Sequence, residues 1–318
     1  LIDSQELSLT VSIGICMYPE PASAEEILRD AETALVKTKE SERGSYAFYN
    51  TELTETATRK LRIASELRAA MDDNQLTLHF QPVFSLGDRQ IAGCEALVHW
   101  QHPELGLIMS AELMEVARMA GHTRAMDSWM MRHACHQAQQ WLQQELSPGF
   151  ISVNITSQLL ERNEHLVFDL QKALNESGLP AQMLELEIIE SSMMDNPEAG
   201  IELLQKLHNL GVRLTLDDFG SGYSSLARLK HLPVDKLKIG QAFMQNLIQD
   251  PADLALIETS ISLAKSLKLQ IQAEGVETRE QAELLASHPQ ILVQGPLYGH
   301  AMPVADFSRL LSEQPAST

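Results

Sequence analysis

The segment "LTLDDFGSGYSS" (214–225) sets Asp217 beside Asp218 at the end of an apolar run, just before a glycine-flanked turn. Two bland roles are open to such a pair: Asp218 could cap the next helix, and Asp217 could be a solvated strand end. A third is that both carboxylates ligate divalent cations, whose charge removes the repulsion and keeps them ionised. The company they keep favours the third. Glu95, Asn154, Glu187, Lys238, Glu274 and Gln294 each stand in or at the end of another short apolar run. Without cations, Glu95, Glu187, Asp217, Asp218 and Glu274 on one rim would destabilise one another by on the order of several kcal/mol. Oxygen-only donors suit magnesium or manganese, not zinc. Two ions about 3.5–4 Å apart need a shared carboxylate, and an adjacent Asp pair supplies one bridging and one terminal ligand. Such a centre activates water and clamps a phosphoryl group, the chemistry of phosphodiester hydrolysis. Lys238 would then hold the attacking water or stabilise charge at phosphorus; the alternative is that it only salt-bridges the carboxylate rim. His99, His102, His122, His133 and His136 show no metal-binding spacing and read as surface or core residues.

These residues need elements that bring them together. Eight short apolar runs alternate with longer stretches of helical spacing: "LTLHFQPV" (76–83), "GCEALVHW" (93–100), "FISVNIT" (150–156), "LELEIIE" (184–190), "RLTLDDF" (213–219), "KLKIG" (236–240), "QIQAEGV" (270–276) and "ILVQGPL" (291–297). That rhythm predicts a barrel of the (β/α)8 kind, in which sites form at the carboxyl ends of the strands. The link between the first two runs is too short for a crossover helix, so those strands should pair antiparallel. A doubly wound open sheet is the alternative.

The 318 residues, 44% hydrophobic and 21% charged, suit one domain of about 250 residues with an accessory piece. The divisions expected are 1–49, where a strand and a helix capped by Ser23 look like the end of a domain, a connecting helix over 50–73, and the barrel over 74–318. Cys16, Cys94 and Cys135 are too few and too scattered for a disulfide framework, which reads as a reduced, cytoplasmic chain. No uninterrupted apolar stretch of roughly 18 residues occurs, so no membrane segment is expected within these residues, although they would suit the cytoplasmic part of a longer membrane-anchored sensor. A net charge of -19 argues against polymeric nucleic acid as a partner. "DFG" (218–220) also occurs in protein kinases, but the glycine-rich nucleotide loop and "HRD" are missing.

The motifs "EAL" (95–97), "SVN" (152–154), "ELEIIE" (185–190), "DDFGSGYSSL" (217–226), "LPVDKLKI" (232–239), "AEGVE" (273–277) and "QG" (294–295) resemble the EAL-domain family in order and spacing over about residues 60–313. The resemblance implies a modified TIM barrel that hydrolyses cyclic di-GMP to linear pGpG with two magnesium or manganese ions. It implies that Glu95, Asn154, Glu187 and Asp217 hold one ion, and that Asp217, Asp218 and Glu274 hold the other. Lys238 would position or deprotonate the water. Gln294 would hydrogen-bond in the substrate and metal shell, Gln81 and Leu97 would line the ligand pocket, and Glu190 and Glu277 would be supporting carboxylates. It further implies a homodimer formed near the loop and helix after Asp218. Residues 1–49, from "LTVSIGICMYP" to "AETALVKTKE", resemble the C-terminal part of a GGDEF domain without its signature loop, so no cyclase activity is implied. Four positions depart from the family pattern. His99 stands where an Arg usually contacts ligand phosphate, Gly240 where Asp is usual beside Lys238, Ile189 for a usual Thr, and Ser110 where Pro is common. None removes a metal ligand, but the first two point to an alternative, a weakly active or inactive receptor for cyclic di-GMP.

Overall fold

A computed structural model describes residues 10–17, 23–41, 44–156, 163–189, 197–220 and 229–314. The chain divides into two compact units, residues 1–68 and 69–318.

In the first unit, strands β1 (Ile13–Ile15) and β2 (Tyr46–Phe48) pair in parallel beside helix α1 (Ala24–Ser41). Ser23 caps α1 as its sequence predicts: its hydroxyl accepts from the Glu26 N–H at 3.2 Å, while the Glu26 carboxylate accepts from the Ser23 N–H at 2.9 Å. Gly14 is required because a Cβ there would lie 2.1 Å from the Ala31 carbonyl oxygen, so strand and helix meet backbone to backbone. Helix α2 (Thr51–Asp72) follows, and the division between the units falls inside it.

The second unit is a closed eight-stranded barrel made of β3 (Leu76–Ser85), β4 (Ile91–His102), β6 (Ile151–Ile155), β7 (Leu184–Ile189), β8 (Arg213–Phe219), β9 (Lys236–Ile239), β10 (Gln270–Ala273) and β11 (Leu292–Val293). From β4 through β11 neighbouring barrel strands are parallel, as crossover helices require. Strand β3 runs antiparallel to both β4 and β11 and closes the ring, which excludes the open sheet. Two short strands absent from the sequence expectation extend the edges, β5 (Gly106–Ile108) on β4 and β12 (Met302–Pro303) on β3.

Alternation along the strands divides the side chains. One set, including Leu186, Leu214, Leu216, Leu237, Ile239 and Ile271, is buried and apolar, matching the apolar faces of helices such as α4 (Thr123–Gln143) and α5 (Asn163–Ser177). The other set fills the barrel interior, and it is polar over much of its depth. Val83, Phe150 and Leu292 form an apolar floor, with Gly93 pressed so closely on the Phe150 ring that a Cβ there would lie 2.4 Å away. Above that floor come Glu185, Thr215, Lys236 and Gln272, all 0–1% exposed, and above them Glu187, Asp217, Lys238 and Glu274, two residues further along the same strands. Contacts between Lys238 on β9 and Glu95 on β4, which are not neighbours, place these side chains inside the ring.

Cys94 and Cys135 are buried thiols and Cys16 is half-buried; all three are free, as expected. Among the described residues, no helix is long and apolar enough to cross a membrane.

Candidate active site

How adjacent aspartates can serve one site is a question of backbone. In a regular strand Asp217 and Asp218 would point to opposite faces. Here the ladder between β8 and β9 slips: Leu216 pairs with Leu237 and Phe219 with Ile239, so both aspartates stand opposite Lys238 alone. This is a bulge, and Asp218 completes it in the left-handed region at φ 55°, with its N–H donating to Asp217 Oδ1 at 2.8 Å. The following Gly220, at φ 95°, turns the chain away from the strand.

Lys238 sits at the centre of the rim. Its Nζ lies 2.5 Å from Glu187 Oε2, 2.5 Å from Glu274 Oε1, and 3.7 Å from both Glu95 Oε2 and Asp217 Oδ1. Glu95 is held at both oxygens, accepting from Asn154 Nδ2 at 2.6 Å on Oε1 and from Gln294 Nε2 at 2.7 Å on Oε2. Gln294 also donates to Gln81 Oε1 at 3.0 Å, and Gln81 Nε2 donates to the Gly299 carbonyl. Eight of the residues read from the sequence therefore belong to one connected cluster: Gln81, Glu95, Asn154, Glu187, Asp217, Lys238, Glu274 and Gln294.

The charges in this cluster do not balance, and protonation responds. Burial and then the Glu95 carboxylate push Glu187 well above the usual carboxylate range, against the pull of Lys238. Burial likewise raises Glu274 to about 7, with Lys238 opposing and Asp217 and Glu95 adding to the rise. Burial alone would lower Lys238, but Glu187, Glu274, Glu95 and Asp217 outweigh it and hold the ammonium firmly charged.

The donor set fits a hard divalent cation. All its ligating atoms are oxygens, and Glu187 Oε1 is buried with no hydrogen-bond partner, a costly state that a cation would relieve. Among the described residues no three acidic, His or Cys side chains stand as a finished ligand cage, because the Lys238 ammonium occupies the point to which the carboxylates converge.

The remaining expected residues lie around this centre. Asp218 packs on Gly240, with Oδ1 only 2.2 Å from where a Cβ would stand. Gly240 thus leaves room for the Asp218 carboxylate, and Lys238 is held by its carboxylate partners with glycine at this position. His99 is 1% exposed, stacks on His79 with ring centroids 4.1 Å apart, and donates from Nδ1 to the carbonyl of half-buried Leu97 at 3.1 Å. Burial lowers its pKa, so the ring is neutral. Glu277 is exposed and accepts from Gln241 at 3.4 Å, and its neighbour Thr278 caps the next helix. Glu190, and Leu226 and Ala227 of the expected dimer helix, lie outside the described residues.

Sequence reasoning missed the lower polar layer. Lys236 Nζ lies 2.5 Å from Glu185 Oε1, donates to Gln272 Oε1 at 3.1 Å and stands 3.8 Å above the Phe150 ring centroid. Thr215 donates to the same Glu185 oxygen at 2.7 Å. The signal was present as E-x-E, T-x-D, K-x-K and Q-x-E, four strands with polar residues at a period of two.

Comparison with known proteins agrees with this geometry. The EAL domain family matches residues 64–301. Cyclic di-GMP phosphodiesterase NbdA of Pseudomonas aeruginosa is 36% identical over 311 residues, 98% of this chain and 40% of that protein. Cyclic di-GMP phosphodiesterase PdeR of Escherichia coli is 30% identical over 305 residues, 96% of this chain and 46% of that protein. The chain thus spans under half the length of these curated relatives. A solved PaMucR phosphodiesterase in complex with c-di-GMP superposes with a TM-score of 0.73 at 35% identity, covering 77% of this chain and 99% of that one. From its barrel, its strand-end cluster and these matches, the chain belongs to the EAL-domain family.

Proposed function

We propose that this chain hydrolyses cyclic di-GMP to linear pGpG with two magnesium or manganese ions. The observation that carries the reading is the convergence of Glu95, Asn154, Glu187, Asp217 and Glu274 on one buried point, with Glu187 Oε1 left unpartnered there. Glu95, Asn154, Glu187 and Asp217 would hold one ion, and Asp217, Asp218 and Glu274 the other. Bound ions would supply the charge neutralisation and water activation that phosphodiester cleavage needs. Lys238 would position the attacking water through its ammonium or, once bound cations draw off the carboxylates that keep it charged and it has given up a proton, deprotonate that water. Gln294 and Gln81 would orient Glu95 and the substrate, and Leu97 would offer an apolar wall to a guanine.

Incubation with cyclic di-GMP and manganese, with product followed by chromatography, tests this. Asp217→Asn should lower the rate by several orders of magnitude while preserving the fold. Equal, negligible turnover by both proteins, with ligand binding retained, establishes the second reading, a receptor. That reading is favoured by His99, whose neutral, stacked ring cannot offer phosphate a charged fork.

The same proposal includes a homodimer formed through the loop and helix after Asp218, residues 1–49 as the C-terminal part of a GGDEF-like domain, Glu190 and Glu277 as loop supports, and a cytoplasmic location. Sedimentation velocity of wild type and Ala227→Glu tests the dimer, with a monomeric wild type removing it.

A further inference from the structure

Beneath the site lies a hydrogen-bond chain whose direction is set at both ends. Lysine carries three donors and no acceptor, so the atom of Gln272 facing Lys236 Nζ at 3.1 Å is the amide oxygen. The Gln272 NH2 group then points up the barrel and donates to Gln294 Oε1 at 2.7 Å. That leaves the Gln294 NH2 group to donate to Glu95 Oε2 at 2.7 Å and to Gln81 Oε1 at 3.0 Å. An ionised carboxylate only accepts, so the chain runs from a donor-only group to an acceptor-only group with no reversed link. Turning either amide over would set two donors or two oxygens face to face at one contact or more, a costly arrangement at this depth, where Lys236 and Gln272 are 1% and 0% exposed and Gln294 is 4% exposed.

We infer that Lys236 is a positioning residue for the site, holding a hydrogen-bond donor on Glu95 through Gln272 and Gln294. The inference rests on the proposed function in treating Glu95 as a metal ligand. An apolar side chain would extend the floor of Val83, Phe150 and Leu292 at less cost than a buried ammonium. The charged pair of Lys236 and Glu185 instead fixes the sense of the relay. With one Glu95 oxygen kept on the Gln294 NH2, the carboxylate cannot rotate freely when a cation draws on it.

A purely structural pair and a relay predict opposite signs for one substitution. Gln272→Glu gives Lys236 a stronger partner and adds negative charge below the ligands, so a structural role leaves cation binding unchanged or tighter. It also removes the NH2 group that Gln294 Oε1 requires, so the relay predicts weaker binding. Gln272→Met, which cannot donate and adds no charge, is the second variant should the first fail to fold. Lys236→Arg restores a donor-only group.

The test is titration of manganese alone into the full chain by calorimetry, with the Gln294 side-chain amide followed by NMR and assigned from Gln294→Glu. Both Gln272 variants should lose about 10- to 100-fold in manganese affinity and shift the Gln294 amide signals, whereas Lys236→Arg should stay within about threefold of wild type. Manganese affinity within twofold of wild type in a folded Gln272→Met, or tighter binding by Gln272→Glu, overturns the inference. If wild type binds no manganese, the metal reading fails by itself, and the Gln294 amide signals in Gln272→Met still decide the relay: a shift supports it, and unmoved signals overturn it.

Discussion

Replacing Gly240 by alanine isolates one contact in the site. Gly240 lies at φ −63° and ψ 152°, a region open to any L-residue, so alanine adds no backbone strain. Its methyl carbon would stand 2.2 Å from Asp218 Oδ1, whereas ordinary contact begins near 3.4 Å. The carboxylate must therefore retreat by about 1 Å, most readily by side-chain rotation at a cost of about 1 kcal/mol. Because Asp218 already sits at φ 55° in the bulge, its backbone has little room to share the movement. Displacing a reacting constellation by about 1 Å costs on the order of 100-fold in rate. If the proposed two-ion phosphodiesterase reading holds, Gly240→Ala should lower kcat about 100-fold, reduce the manganese stoichiometry from two to one, and shift the thermal midpoint by only a few degrees. Steady-state kinetics and calorimetry on the same preparation check this. Wild-type kcat with two manganese ions bound would show that Asp218 is not held against residue 240 in solution.

Two further outcomes follow from buried ionisable groups. His99→Arg should tighten cyclic di-GMP binding about tenfold, roughly 1–2 kcal/mol, by adding a charge-assisted phosphate contact at the cost of the His79 stack; calorimetry showing equal or weaker binding would refute a phosphate-facing role for this position. Burial pushes the Asp127 carboxyl from 3.8 to about 7, against the hydrogen bond from Thr156, so the folded chain keeps a proton that the unfolded chain gives up. Stability should fall as pH rises from about 4 to about 7 and level off above that, by on the order of 2–4 kcal/mol from this group. Asp127→Asn, neutral throughout, should gain on wild type over that window in denaturant titrations, and a constant difference between the two proteins would refute the assignment.

Which side chains would gather in the ring was legible where a single polar residue interrupts an apolar strand. Glu95, Asn154, Glu187, Lys238, Glu274 and Gln294 could be read because each is a polar residue within a short apolar run, and runs of this rhythm close into one ring. The sequence expectation faltered where geometry depends on a partner strand. The bulge at Asp217 and Asp218 is a slip against β9, and no local pattern announces it. Strand β10 stops at Ala273, three residues before the expected end, because Gly275 turns at φ 70°, although the Glu274 N–H still reaches the Ile239 carbonyl. Strands β5 and β12, of three and two residues, are too short to show alternation. The lower polar layer was hidden for another reason: each of its members, taken alone, looks like an ordinary polar residue on a strand, and only closure of the ring brings Lys236, Glu185, Gln272 and Thr215 together.

The antiparallel strand that closes the barrel also has a consequence for the order of events during synthesis. Strand β3 finds β4 within a few residues, but its other neighbours, β11 and β12, are more than 200 positions away in the chain. A nascent chain emerging from the ribosome can form the hairpin at once, yet it must hold one side of that hairpin unpaired until the final strands appear. The site shares that delay, since Glu95 gains its Gln294 donor only when the ring shuts. Any pool of incomplete or stalled chains should therefore present an open strand edge and half a carboxylate cluster, and such chains will be poor in cation affinity and rich in opportunities for edge-to-edge association.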